Sequence, residues 1–285
     1  MNRTYPLLRS KTLTSARLRG WPLPAHRSGD KNERGRILIV GGSQELPGPV
    51  TLCATAALRA GAGKLQIATS PAIAPQIGIA MPEALSVAFE KADPLMQHAD
   101  AAVLGPGMDS DACATLLTRL LPLARGPVVL DAAALVCIGA DPALVRGAGV
   151  GVVLTPHAGE MAALLQCERR EVENGPVRAL HAAVERFGAW IALKGERTWI
   201  AGPQSDLYCN TSGTAALATS GSGDTLAGII GGLLARGTHP LHAIAWGVYV
   251  HAKAGERLKR ETGAGFLARE LPAQVPLIIR TIERG

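Results

Sequence analysis

Residues 36–68, RILIVGGSQELPGPVTLCATAALRAGAGKLQIA, decide the fold. Arg36 to Val40 is a short, apolar, β-branched run and reads as a buried strand, while Val50 to Ala60 carries the longer apolar pattern of a helix. Lys64 to Ala68 reads as a second strand. A strand, a glycine-rich turn, a helix and a second strand form the crossover that joins parallel strands.

The same alternation extends down the chain. Ala101 to Leu104, Val128 to Leu130, Val152 to Leu154, Trp190 to Leu193 and Thr198 to Ala201 read as strands. Asp111 to Leu121, Gly159 to Cys167 and Val177 to Phe187 read as helices between them. Strands that are apolar throughout belong to a mostly parallel sheet covered on both faces, so the pattern predicts α/β architecture in three layers, α/β/α. After Asn210 the rhythm turns helical, with helices over residues 224–236, 241–258 and 267–282. No Ser- or Pro-rich linker interrupts residues 36–285. The organisation read from this is one catalytic domain over 35–285, preceded by a basic extension over 1–34 packed on it or leading into it.

Composition narrows the function classes. The chain has 285 residues, 47% of them hydrophobic, enough to bury a full core. Its net charge of +6 is uneven: residues 1–36 hold nine Lys and Arg against Asp30 and Glu33, which leaves the remainder slightly acidic. Such a leader can bind anions or resemble a transit peptide, but a solvated arm laid over the domain is the commoner outcome. Three Phe against 33 Gly argue against a single-stranded nucleic-acid platform. Cysteines 53, 113, 137, 167 and 209 form no C-x-x-C pair, so neither a zinc site nor a disulfide frame is indicated. No apolar signal segment and no membrane-length apolar span is present, and the expectation is a cytoplasmic protein with neither membrane nor nucleic-acid partners.

Chemistry gathers at the strand ends, where ligands of such sheets bind. Val40 precedes Gly41-Gly42-Ser43 and then Pro47-Gly48-Pro49; Leu104 precedes Gly105-Pro106-Gly107; Leu130 precedes Asp131; Leu154 precedes Thr155-Pro156-His157; Leu193 precedes Lys194-Gly195. The spacing of Gly41, Gly42 and Gly48 is not the dinucleotide G-x-G-x-x-G, which argues against a nicotinamide oxidoreductase. Lys194, a cation at an apolar strand end, needs a phosphate or carboxylate partner. Asp131 reads as a helix cap or as a metal holder through water. His157 taken alone reads as a structural residue, and Glu160 as helix-starting charge.

The strongest motif is Gly221-Ser222-Gly223-Asp224. Leu226, Ile229, Ile230, Leu233 and Leu234 follow at helical spacing, giving one apolar face to a helix that opens at the glycines. Glycines admit a phosphate to the free N–H groups of a first turn, where the helix dipole is positive. Asp224 beside that anion either caps the helix or takes a proton from an attacking hydroxyl.

As a set, residues 35–63, Gly105-Pro106-Gly107, Thr155 to Glu160 (TPHAGE), Leu193-Lys194-Gly195 with Thr198, and Ala218 to Gly228 (ATSGSGDTLAG) resemble the ADP-dependent NAD(P)H-hydrate dehydratases. These are carbohydrate-kinase-like repair enzymes of the ribokinase superfamily, and Leu18 to Pro24 (LRGWPLP) resembles the segment that precedes their first strand. The resemblance implies a ribokinase-like fold and a hydro-lyase. It would dehydrate the S-epimer of hydrated NADH or NADPH (NADHX, NADPHX) at the expense of ADP, or ATP as alternative donor, with Mg²⁺ near the diphosphate, releasing AMP and phosphate.

By the same resemblance, Asp224 is the catalytic base and Gly221, Ser222 and Gly223 form the phosphate cradle. Lys194, Gly195, Glu196, Arg197, Thr198 and Gly223 contact the nucleotide, and Pro49, Gly107, His157 and Asp224 contact the hydrated cofactor. No metal ligands are assigned. A homotetramer is implied, as is a separate NAD(P)HX epimerase, because the leader is too short to hold that domain. Ala133, Ala158 and Thr214 stand where relatives carry Asp, Pro and Asn. An ATP-dependent hydroxymethylpyrimidine- or hydroxyethylthiazole-type kinase shares G-S-G-D and is the alternative reading.

Overall fold

In the computed structural model, which describes residues 10–25 and 35–285, the chain runs β1 (Lys11–Thr12), α1 (Ser15–Arg19), β2 (Arg36–Val40), α2 (Gly48–Arg59), β3 (Lys64–Thr69), α3 (Ala74–Ala80), β4 (Ala84–Ala88), α4 (Ala92–His98) and β5 (Ala101–Leu104). It continues through α5 (Ser110–Leu120), β6 (Val128–Leu130), α6 (Ala133–Ile138), α7 (Pro142–Arg146), β7 (Val152–Leu154), α8 (Ala158–Leu165), α9 (Arg169–Asn174), α10 (Pro176–Phe187) and β8 (Trp190–Leu193). Then come β9 (Thr198–Ala201), β10 (Tyr208–Asn210), α11 (Ser222–Ala235), α12 (Pro240–Thr262) and α13 (Leu271–Arg284).

All strands join one sheet in the order β1-β10-β9-β8-β7-β6-β5-β2-β3-β4. From β4 to β8 every pairing is parallel; β9 is antiparallel to β8, β10 to β9, and β1 runs parallel to β10. Alternate residues feed opposite faces, as the pleat requires. Ile37 and Ile39 of β2 enter one core with α2, α11, α12 and α13, while Leu38 and Val40 enter the other with α5, α6, α8 and α10. The three predicted layers are present.

Two differences from the sequence pattern have physical causes. Strands β1, β4 and β10 escape it because two are very short and β4 is a half-exposed edge strand without a continuous apolar run. Helix α11 buries nearly every residue from Thr225 to Ala235, where the spacing predicts one apolar face. Small residues explain this: a Cβ on Gly228 would lie 2.1 Å from the Cys53 carbonyl oxygen, and one on Gly232 would lie 2.3 Å from that of Ala57. Residues 10–25 of the basic leader pack against the rest of the fold through Leu13, Leu18 and Leu23, while most of their neighbours are exposed. Leu18 is fully buried, Trp21 stacks on His242, and Trp246 Nε1 donates to the Trp21 carbonyl at 2.8 Å. The rest of that leader falls outside the described residues.

Candidate active site

The strand order reverses between β2 and β5, since the chain builds outward from β2 through β3 to β4 on one side and from β5 through β8 on the other. Ligands of open α/β sheets bind outside the carboxyl ends of strands at such a switch point. Here Gly42 N–H donates to the Pro106 carbonyl at 2.8 Å and Gly105 N–H to that of Val40 at 3.0 Å, which ties the two post-strand turns together. Gly107 sits at φ 68, and a Cβ there would lie 2.6 Å from the Leu46 carbonyl oxygen and 3.1 Å from Pro49 Cβ. Only glycine fits, so Gly107 packs directly against Pro49.

Helix α11 opens at the same rim. Gly221 turns into it at φ 87, and a Cβ at that position would meet Leu52 Cδ1 at 2.4 Å. The contacts of Gly228 with Cys53 and of Gly232 with Ala57 advance four residues on each helix, so α11 runs parallel to α2 and both positive ends point to the rim. Ser222, Gly223 and Asp224 fill the first three helical positions, with no side chain capping them. Ser222 N–H donates to the Thr219 carbonyl at 3.2 Å. The cradle is therefore narrower than the motif suggests, centred on Gly223 N–H, which has no acceptor among the described residues. Asp224 is not the N-cap, which is Gly221.

Beside this turn lies a charge cluster. Lys194 Nζ donates to Asp131 Oδ1 at 3.1 Å and lies 3.8 Å from Glu160 Oε2; its side chain is 21% exposed and that of Asp131 only 3%. Thr155 Oγ1 donates to the same Asp131 oxygen at 2.7 Å. A Cβ on Gly223 would lie 3.4 Å from Lys194 Nζ and 3.9 Å from Asp131 Oδ2, so the free N–H turn and the ammonium share one space. Burial pulls the Lys194 pKa down, but Asp131, Glu160 and Asp224 outweigh it and hold the net shift upward. Asp224 is pushed up to about 6, first by burial and then by the Asp131 charge, with Lys194 and its own N–H opposing. A carboxylate in that range is still ionised at neutral pH and is a stronger base than a solvated aspartate.

The predicted residues are brought together unevenly. Lys194 bridges in parallel register to His157, and its Nζ reaches the Gly223 turn. His157 is held by α8: its Nδ1 accepts from Gly159 and Glu160 N–H at 3.0 and 3.2 Å, and Glu160 Oε2 accepts from His157 N–H at 2.7 Å. This capping box uses Nδ1, and Nε2 of the exposed ring lies 3.7 Å from Glu160 Oε1. Gly195, Glu196 and Arg197 form the exposed turn between β8 and β9, and Thr198 opens β9 opposite Asn210. Asp131 does not cap α6, whose N-cap is Ala132; it partners Thr155 and Lys194 instead. In the sequence that partnership shows only as three polar residues after apolar strands. His251, whose Nε2 lies 3.0 Å from Ser222 Oγ, carried a fainter signal, a polar residue within a buried helical run. Thr214 caps the turn at residues 215–217, accepting from Ala216 N–H at 3.3 Å.

Among the described residues no group of three or more His, Cys, Asp or Glu is arranged to hold a metal ion. Asp131, the best-placed carboxylate, already serves Thr155 and Lys194 through one oxygen. Among the described residues these do not form a cage for Mg²⁺. A cavity of about 980 Å³ opens at the opposite rim, among the strand starts at Arg36, Asp100, Pro127 and Gly151; none of the residues in the Lys194 cluster lines it.

A mostly parallel sheet with a glycine-opened helix N-terminus and a carboxylate in its first turn at the switch point is a ribokinase-like arrangement, and a ribokinase-like superfamily protein of Enterococcus faecalis superposes on it with a TM-score of 0.85 at 26% identity. The sequence profile described as NAD(P)H-hydrate dehydratase matches residues 37–277, and the chain belongs to that family. An ADP-dependent (S)-NAD(P)H-hydrate dehydratase of Xanthomonas campestris pv. campestris is 46% identical over 97% of this chain and 99% of its own. The bifunctional NAD(P)H-hydrate repair enzyme of Moorella thermoacetica is 35% identical over 96% of this chain, which spans 54% of that longer protein. Among solved structures, the ADP/ATP-dependent NAD(P)H-hydrate dehydratase of Bacillus subtilis, co-crystallised with ATP/Mg²⁺, superposes with a TM-score of 0.85 at 30% identity, covering 96% of this chain and 99% of that one.

Proposed function

We propose that this chain restores NADH and NADPH from their S-hydrates, using ADP as phosphoryl donor and releasing AMP and phosphate. The observation that carries the reading is Asp224 in the first turn of α11, its pKa raised to about 6, beside the unpartnered Gly223 N–H and the Lys194 ammonium.

Hydroxide leaves a ring poorly, and phosphate leaves well. Asp224 accepts the proton of the hydroxyl that hydration placed on the nicotinamide ring, and the freed oxygen attacks the terminal phosphorus of ADP. Charge on the transferred group then falls against Gly223 N–H, the positive end of α11 and Lys194. Breaking the phosphoanhydride bond releases AMP. Loss of phosphate and a ring proton regenerates the reduced nicotinamide. Lys194, held in place by Asp131 and Glu160, positions the donor phosphates; Pro49, Gly107 and the outer edge of His157 bound the hydrated cofactor. Mg²⁺ would come with the nucleotide and screen its phosphate charge, since magnesium keeps several waters and takes few protein ligands.

The same reading places the protein in the cytoplasm as a homotetramer, working with an epimerase that converts the R-hydrate to the S form. Among the described residues no helix is long and apolar enough to cross a membrane. Incubation with ADP and acid-hydrated NADH should restore the reduced-nicotinamide absorbance with one AMP formed per NADH. Turnover of a hydroxymethylpyrimidine or thiazole alcohol with ATP, and no recovery of NADH, would establish the kinase alternative instead.

A further inference from the structure

Ser222 is held from two sides. Its N–H donates to the Thr219 carbonyl at 3.2 Å, and its Oγ lies 3.0 Å from Nε2 of His251, a residue of α12. Both are more than nine-tenths buried: Ser222 is 5% exposed and His251 8%. Hydroxyls inside helices commonly satisfy themselves on a carbonyl one turn earlier, as Thr225, Thr262 and Thr281 do with Gly221, Leu258 and Leu277. Ser222 opens its helix and has no helical carbonyl one turn behind it, so its hydroxyl is drawn across to α12.

The imidazole it meets stands in a run of α12 otherwise buried and apolar from Ala243 to Ala252. Burial drives its pKa down to about 4, so the ring is neutral at working pH. A neutral ring neither repels Lys194 nor neutralises Asp224. What remains is a directional bond between two helices, at the one residue that separates the glycine turn from the groups that face the reacting phosphate.

We infer that His251 is a positioning residue: its bond to Ser222 fixes the rotation of the first turn of α11, aiming Gly223 N–H and the Asp224 carboxylate at the same reacting group. The inference deepens the phosphoryl-transfer reading and rests on it. A small rotation of this turn would leave the fold intact while parting donor from base, and misplacement on that scale is costly in turnover rather than in binding.

The test compares wild type with His251→Phe, which keeps ring volume without the bond, His251→Gln, which restores a hydrogen-bonding amide, Ser222→Ala, and the Ser222→Ala/His251→Phe double variant. Each is assayed for kcat and KM with ADP and hydrated NADH, and for its unfolding midpoint. The expected result is a fall in kcat of about tenfold or more in His251→Phe with KM changed by less than about threefold, recovery of most of that loss in His251→Gln, and a double variant no worse than the poorer single. A lowered midpoint with kcat per folded molecule unchanged, or fully additive losses, overturns the positioning role.

A readout independent of turnover is the Gly223 amide resonance on addition of ADP. It should move in wild type, move by much less in His251→Phe at saturating ADP and recover most of its shift in His251→Gln. A wild-type Gly223 resonance that ADP leaves in place overturns the inference outright, whereas a moving resonance without recovery of NADH sinks only the dehydratase reading.

Discussion

Asp224 concentrates the conflict between stability and chemistry in one side chain. Its folded pKa, about 6, lies above the ordinary aspartate value, so the folded state binds its proton more tightly than the unfolded chain does. That stabilisation is full below the ordinary aspartate range and is lost as pH rises through about 6, leaving an ionised carboxylate that costs stability at neutral pH. Asp224→Asn should therefore raise unfolding stability at neutral pH by roughly 1–3 kcal/mol while lowering kcat by about a thousandfold or more with ADP binding retained. Calorimetry beside a turnover assay checks both halves; a variant as active as wild type removes the base from the mechanism. The acid limb of kcat/KM should fall near pH 6, because the base must be unprotonated to act. Lys194→Ala should weaken ADP binding and also cost about 3 kcal/mol of stability, since Asp131 would be left buried beside Thr155 without its cation. Unchanged ADP affinity would refute the phosphate contact.

At the scale of elements, α2 and α11 act as one unit, because Gly228 and Gly232 let their backbones touch. Gly228→Ala places a methyl group where the Cys53 carbonyl already is, so the helices must part. A loss of about 1–3 kcal/mol is expected from overpacking, together with a loss of turnover, since the two helix starts at the rim move apart as well. Chemical denaturation and a kcat measurement read the two effects, and stability lost with kcat intact would show that the starts are independently anchored. Elements of this kind were the legible part of the sequence. Continuous apolar strands such as Val128–Leu130 and Val152–Leu154, and glycine turns at their ends, are written in local composition. G-S-G-D likewise announced a helix start. What local pattern could not state was partnership: that Asp131 would take Lys194 and Thr155, that Ser222 would take His251, and that α11 would be enclosed on every side. Each depends on residues dozens of positions away. Residues 74–98 were illegible for another reason, since repeated prolines and a half-exposed edge strand blur both helical and strand periodicity.

For the whole molecule, the basic leader was read from charge, and charge described its exposed side only. Its apolar residues Leu13, Leu18 and Leu23 are buried, and Arg236 Nη2 donates to the Pro24 carbonyl at 2.8 Å. Leu18→Ala should thus cost about 2–5 kcal/mol, as for an interior leucine, and a change below 0.5 kcal/mol in denaturant unfolding would mark the segment as loosely attached. Strand β1 pairs with β10, Lys11 opposite Tyr208 and Thr12 opposite Cys209. On the ribosome, that first strand emerges long before the chain that must receive it has been made. Its docking therefore belongs to the end of folding, after nearly the whole polypeptide is out, and until then Leu13, Leu18 and Trp21 stay open to chaperones and to neighbouring nascent chains.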